Sequence, residues 1–298
     1  MTTPPRWLKA APFVFLLLWS AGFPVAKLGL EHTNPMTLLA LRYVMVLVIL
    51  LPIALVLRPP LPASRRAFLD VAIVGFLIQV VYFGLCYIAF RAGASAGAVA
   101  IIVCLQPILV ALAAPRLVGE AVSGRAWLGL ALGLMGALIV ILSRSQLGGE
   151  TGFGLICTAI ALFGITGATL YEKRFGVSHH PVTANLIQYG VGAICTVPMA
   201  FALEDLHVDW SWQFAGVMVY LVLGNSILAL SLLLAMIRAG AVSRVSALFY
   251  MVPPLAALFA WPMLGEKLPA LGWAGMALAA VGVALASRKP APRPAAKA

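Results

Sequence analysis

Residues 91–120 read RAGASAGAVAIIVCLQPILVALAAPRLVGE, and residues 238–266 read RAGAVSRVSALFYMVPPLAALFAWPMLGE. One pattern is written twice. Arg91, Ala92, Gly93 and Ala94 recur as Arg238, Ala239, Gly240 and Ala241, and Pro107 and Pro115 recur as Pro254 and Pro262, all 147 positions on. Gly119–Glu120 recur as Gly265–Glu266 and Trp127 as Trp273, now 146 positions on. The same 146-residue spacing joins Lys27 to Lys173, Pro35 to Pro181, Tyr43 to Tyr189 and Pro52 to Pro198. The chain therefore divides into two related halves, residues 10–143 and 144–287. An N-terminal segment, 1–9, and a tail, 288–298, lie outside them.

The first copy contains GASAG, residues 93–97, which matches the G-x-S-x-G of a hydrolase nucleophile elbow. That motif works only at a strand–turn–helix junction on a sheet. Here it joins two apolar runs, and the duplicate has Val242 opposite Ser95. The expectation is a turn between helices, with Gly93 closing one and Ser95 capping the next.

Composition sets the solvent. Of 298 residues, 63% are hydrophobic and 10% charged, with mean hydropathy +1.04. A soluble domain carries about 25% charged residues. The apolar runs recur along the whole chain, so the fold expected is all-α integral membrane with ten transmembrane helices. Their approximate limits are 11–30, 36–57, 71–90, 94–118, 126–142, 153–171, 182–203, 214–236, 245–264 and 271–286. With residue 1 in the cytoplasm, the inner segments hold fourteen Lys and Arg, and the outer loops hold only Arg91, Arg144 and Lys267. This asymmetry puts both termini inside. The tail RKPAPRPAAKA has no apolar periodicity and is read as a flexible cytoplasmic end.

Five helices per half is an odd number. The second half then enters the membrane from the opposite side, giving two inverted repeats. That is the architecture of alternating-access carriers, with substrate bound between the halves near the midplane.

The net charge of +11 does not mark a nucleic-acid binder, because the basic residues are scattered singly through short loops. Cys86, Cys104, Cys157 and Cys195 all fall in apolar runs without C-x-x-C spacing, and the four histidines lack ligand company, so no metal is expected. No phosphate-binding lysine loop is present, and no cofactor is expected.

LLLWSAGFPVAKLGL at 16–30, the pair PILVALAAPRLVGE and PPLAALFAWPMLGE, and the glycine-rich fifth and tenth spans resemble the drug/metabolite transporter superfamily. The resemblance covers roughly residues 10–287 and is nearest to the EamA-type ten-helix exporters. Within that branch the chain is most similar to the YddG group, exporters of aromatic and other amino acids. The resemblance implies export across the bacterial inner membrane, with a small molecule and membrane lipid as partners. It implies no nucleic acid and no obligate protein partner.

Polar and aromatic residues inside spans are the candidates for the substrate site. Gln79, Tyr82 and Cys86 fall on one face of the third span, and Asn225 and Ser226 lie in its repeat partner. Gln79 and Asn225 are 146 positions apart; they either line a central cavity or make interhelical hydrogen bonds. Gln106, Tyr250, Trp19 and Phe163 complete the proposed substrate set. Pro107, Pro253 and Pro254 interrupt the fourth and ninth spans, as hinges or as plain kinks. Arg42 attracts a substrate carboxylate, snorkels, or pairs within the bundle. Lys27, near an outer end, is interfacial or part of a gate.

All nine acidic residues fall in loops or near span ends, and no cluster of Lys or Arg sits mid-membrane. The cargo expected is neutral or zwitterionic, amino acids and related metabolites, carried by a secondary exporter. The alternatives are an integral-membrane enzyme, for which only Ser95 resembles a nucleophile, and a lipid scramblase. The glycines 129, 133 and 136 permit close helix packing, inside one chain or between two.

Overall fold

The structure, a computed structural model, describes residues 10–106, 108–110, 112–113, 124–145, 151–175, 179–229, 231–232 and 251–287. Over these residues the chain is helical, with a single bridge between Thr33 and Val208 and no strand. The helices are α1 (Ala11–Gly29), α2 (Pro35–Leu57), α3 (Arg65–Arg91), α4 (Ala96–Val103) and α5 (Gly124–Ser145). The second half holds α6 (Gly152–Phe175), α7 (Pro181–Leu203), α8 (Trp212–Ala229), α9 (Val252–Leu264) and α10 (Ala270–Ser287). Six of them, α1, α2, α3, α6, α7 and α8, are long and apolar enough to cross a membrane. Roughly 20 residues at 1.5 Å each match a ~30 Å hydrocarbon layer.

Caps account for the starts that hydropathy misplaces. Ser64 accepts from Ala67 N at 3.1 Å, so α3 begins at Arg65, before its apolar run. Ser211 accepts from Phe214 N at 3.1 Å and starts α8 at Trp212. The GASAG turn is a helix–helix corner: Gly93 has φ +100°, Ala94 N donates to Ala89 O, and Ser95 Oγ accepts from Ala98 N. Ser95 is therefore an N-cap, as its spacing implies.

Two helices contain wide π-helical turns, Phe76–Tyr82 in α3 and Tyr220–Ala229 in α8. Gln79 lies in one and Asn225 in the other. Each inserted residue rotates the remainder of its helix by roughly 100° about the axis. The face presented after the turn is thus not the one that a 3.6-residue period gives.

α2 and α7 run antiparallel. At one end the start of α2 meets the end of α7, where the Glu204 carboxylate accepts from Met36 N, Thr37 N and Thr37 Oγ1 at 2.7–2.8 Å. At the other end the start of α7 meets the end of α2, where Thr183 Oγ1 donates to Pro60 O at 3.0 Å. Thr37 and Thr183 are 146 positions apart. The loop before α2 is laced to the loop before α8: Asp209 N donates to His32 O, and Thr33 Oγ1 to His207 O.

The glycine face of α5 packs against α10 of the same chain. A Cβ on Gly136 would lie 2.5 Å from Ala279 N and Gly275 O, and one on Gly282 would lie 2.5 Å from Gly133 N. The α5 glycines thus serve intrachain packing. Large apolar side chains cover the outside, among them Val48, Leu55, Ile194 and Phe201, each at least 63% exposed. Water would penalise such a surface, and hydrocarbon does not.

Candidate functional site

Arg42 sits in α2, 2% exposed. Its guanidinium is held from two sides. Nε donates to Ser226 Oγ and Nη2 to Asn225 Oδ1, both on α8 and both at 3.0 Å. Nη1 donates to Tyr87 Oη on α3, also at 3.0 Å, and the guanidinium carbon lies 4.7 Å from the Phe83 ring centroid. Every partner is neutral. A guanidinium has five N–H groups; two of these have no partner among the described residues. Ser226 Oγ in turn donates to Leu221 O at 2.8 Å, five residues back, which occupies a carbonyl of the π-helical turn. Asn225 Nδ2 donates to Leu18 O of α1. A Cβ on Gly22 would lie 2.5 Å from that same Nδ2, so the glycine lets α1 approach the amide.

Beside this cluster lies a narrow, part-enclosed cleft of about 30 Å³, room for little more than a water molecule until the helices part. Arg42 and Asn225 form its polar side. Trp19, Phe23, Tyr82, Phe83, Tyr87 and Phe90 supply aromatic walls, with Gly22, Ala26 and Cys86 between them. Tyr82 packs on Phe83 with ring centroids 4.7 Å apart.

The cleft gathers Trp19, Arg42, Tyr82 and Asn225 from the sequence-derived set, and Ser226 stands directly behind Arg42. Gln79 is not on the lining. It is buried between α2 and α7, with its backbone carbonyl accepting from Tyr43 Oη and its Oε1 unpartnered among the described residues. Gln106 Nε2 donates to Thr169 Oγ1 at 2.7 Å, tying the fourth span to α6. Phe163 is 65% exposed on the outside of α6 and does not line the cleft. Pro253 and Pro254 occupy the first turn of α9, where a missing N–H costs no helical bond. Pro107 and Tyr250 lie outside the described residues.

Phe83, Tyr87 and Phe90 on α3, like Phe23 on α1, are cleft residues that sequence reasoning left out of the site. Their spacing, i, i+4 and i+7, marks a helical face. The π-helical turn immediately before them brings that face inward.

Lys27 lies near the end of α1. Its Nζ is 2.6 Å from Glu266 Oε1 and donates to Ala94 O at 2.7 Å. Glu266 Oε2 also accepts from Ala96 N at 3.0 Å, at the start of α4. Gly265, with φ +67°, makes the left-handed turn at the end of α9 that delivers the carboxylate there. The Gly–Glu that ends the second copy of the opening pattern thus returns to the turn that begins the first copy.

Among the described residues no group of three or more metal-ligating side chains occurs. No disulfide joins the four cysteines.

Long apolar helices around an aromatic cleft that holds the buried Arg42 define an integral-membrane protein. The profile of the EamA-like transporter family matches residues 8–142 and again 152–288. The chain belongs to the EamA-like transporter family, and it is a multi-pass inner-membrane protein. It is 25% identical over 278 residues to a protein of Escherichia coli (strain K12) named "Uncharacterized inner membrane transporter YedA", covering 93% of this chain and 90% of that one. It is 24% identical over 281 residues to the "Probable amino-acid metabolite efflux pump" of Salmonella typhimurium, covering 90% of each. A solved crystal structure shares the fold with a TM-score of 0.67 at 18% identity, over 94% of this chain and 97% of the other. The family and the names of these relatives point to transport rather than to an enzyme.

Proposed function

We propose that this protein is a secondary exporter of small carboxylate-bearing metabolites, amino acids among them, working by alternating access between two inverted five-helix halves. The observation that carries the proposal is the Arg42 cluster. A buried guanidinium contributed by the first half is gripped by Asn225 and Ser226 of the second, at the edge of a cleft walled by aromatic rings. Uncompensated burial of a cation costs several kcal/mol, on the order of what a bound anion restores. A carboxylate meets the two spare N–H groups in a charge-assisted, forked geometry. Aromatic side chains, including those of the amino acids exported by the YddG group, match the walls.

Inversion of the halves is supported by Thr37 and Thr183, which are equivalent in the repeat but bond at opposite ends of the bundle. Lys27, Glu266 and the start of α4 act as a latch that closes the end facing the outside. Opening toward the outside breaks this latch and lets α1 and α9 part from α4. The described acidic residues lie at helix ends or in loops, away from Arg42, so substrate moves down its own gradient. An imposed proton gradient is expected to change the rate less than twofold.

The test is a substrate panel in proteoliposomes spanning aromatic, aliphatic and charged amino acids and their deaminated relatives. Saturable, protein-dependent uptake of at least one of them is expected. Uptake of none, by protein that remains monodisperse, refutes the reading.

A further inference from the structure

The charge balance of the cleft narrows the substrate class, granted the transport reading above. Arg42 contributes a full positive charge. Its partners Tyr87, Asn225 and Ser226 contribute none. The described acids are engaged elsewhere or exposed. Glu204 caps α2, Glu266 pairs with Lys27, Asp209 pairs with His32, Asp70 accepts from Tyr171 Oη, and Asp205 accepts from Asn34 Nδ2. Glu31 and Glu172 are exposed. The segment between α8 and α9 brings no acid either, because the sequence contains none between Asp209 and Glu266.

A zwitterionic amino acid needs two complementary groups. Its carboxylate finds one in Arg42. Its ammonium finds no carboxylate among the described residues, outside which Glu120 and Glu150 lie. The nearby acceptors Asn225 Oδ1 and Tyr87 Oη already receive Arg42 N–H groups, and the guanidinium repels a second cation across a low-dielectric gap. Aromatic faces attract a cation only weakly beside a fixed positive charge. The same faces suit an uncharged ring or chain well.

We infer that the preferred cargo of this cleft is an apolar monocarboxylate, an aryl or alkyl acid without an amino group, rather than the corresponding amino acid. Arg42 reads the carboxylate, and the aromatic wall reads the apolar remainder. Asn225, like Tyr87 and Ser226, touches Arg42 without neutralising it, and it is the partner that a near-isosteric substitution can make anionic.

Three ligands with one ring isolate the charges: 3-phenylpropanoate carries only the carboxylate, phenylalanine carries both groups, and phenethylamine carries only the ammonium. Initial uptake rates are measured in proteoliposomes at pH 7.5, where the acid is ionised, with protein-free vesicles subtracted. The expected order is 3-phenylpropanoate at least tenfold above phenylalanine in kcat/KM, with phenethylamine at background. In the near-isosteric Asn225→Asp variant a carboxylate meets Arg42, and the ratio of 3-phenylpropanoate to phenylalanine uptake is expected to fall at least tenfold. Phenylalanine carried as well as or better than 3-phenylpropanoate overturns this inference while leaving the transport reading intact. An unchanged ratio in Asn225→Asp, in protein that folds and transports, also overturns it. Absence of saturable uptake of all three ligands and of the amino-acid panel overturns the inference and the transport reading together.

Discussion

Glu266→Gln removes the negative charge from the latch. The amide keeps an oxygen for Ala96 N, and the side-chain volume is nearly unchanged. Lost is the pairing of Lys27 Nζ and Glu266 Oε1 at 2.6 Å, between side chains 22% and 9% exposed. Two charges about 4 Å apart at an effective dielectric near 20 attract by about 4 kcal/mol. Exposure of Lys27 and the retained neutral hydrogen bond reduce the net effect to about 2 kcal/mol. At 1.4 kcal/mol per decade, the population open at that end rises roughly thirtyfold. Cys86 is a native reporter, because it lines the cleft and is only 3% exposed. With Cys104, Cys157 and Cys195 replaced by alanine, a membrane-impermeant maleimide applied from outside labels Cys86 only when that end opens. The expected result is labelling at least tenfold faster in Glu266→Gln, with a matching rise in Lys27→Met. Rates within twofold of the parent in both variants would refute the latch.

Other expectations rest on single contacts. Gly136→Ala forces a Cβ against the α10 backbone at 2.5 Å and is expected to cost about 1–3 kcal/mol, read as a lower Tm in detergent; an unchanged Tm contradicts the packing. Gly22→Ala displaces the Asn225 amide from Arg42 and, at about 1 kcal/mol for one hydrogen bond, raises KM roughly fivefold with the Tm little changed. Phe163→Ala, on the exposed side of α6, is expected to leave transport within about twofold of the parent, as surface substitutions do; a large loss would return Phe163 to the site.

Much of this molecule is legible from local chemistry. Apolar run length marks the helices, and Gly93 and Ser95 announce the turn between α3 and α4 without any knowledge of packing. Asn225 stands out because an amide inside an apolar run needs a partner. The identity of that partner is not legible, because Arg42 is 183 positions away and the contact exists only after α2 and α8 pack. Arg42 read from sequence fits snorkelling equally well; only burial on all sides excludes it. The two π-helical turns explain the remaining differences. A 3.6-residue period aligns Gln79 with Tyr82 and Cys86, but across the widened turn Gln79 lies against α7 while Tyr82 and Cys86 line the cleft with Phe83, Tyr87 and Phe90. No residue pattern along α3 announces that widening. The Gly–Glu repeat is a related case: its recurrence is plain in the sequence, whereas its purpose emerges only when Glu266 is found at the start of α4.

Arg42→Gln tests the central claim most directly. The substitution keeps donors for Asn225 or Tyr87 but removes the charge and the two N–H groups that have no partner among the described residues. Saturable uptake of carboxylate-bearing substrate is measured in proteoliposomes holding equal amounts of monodisperse variant and parent. A cleft that binds its cargo through Arg42 predicts a fall in kcat/KM of at least a hundredfold. Transport within threefold of the parent would contradict the account.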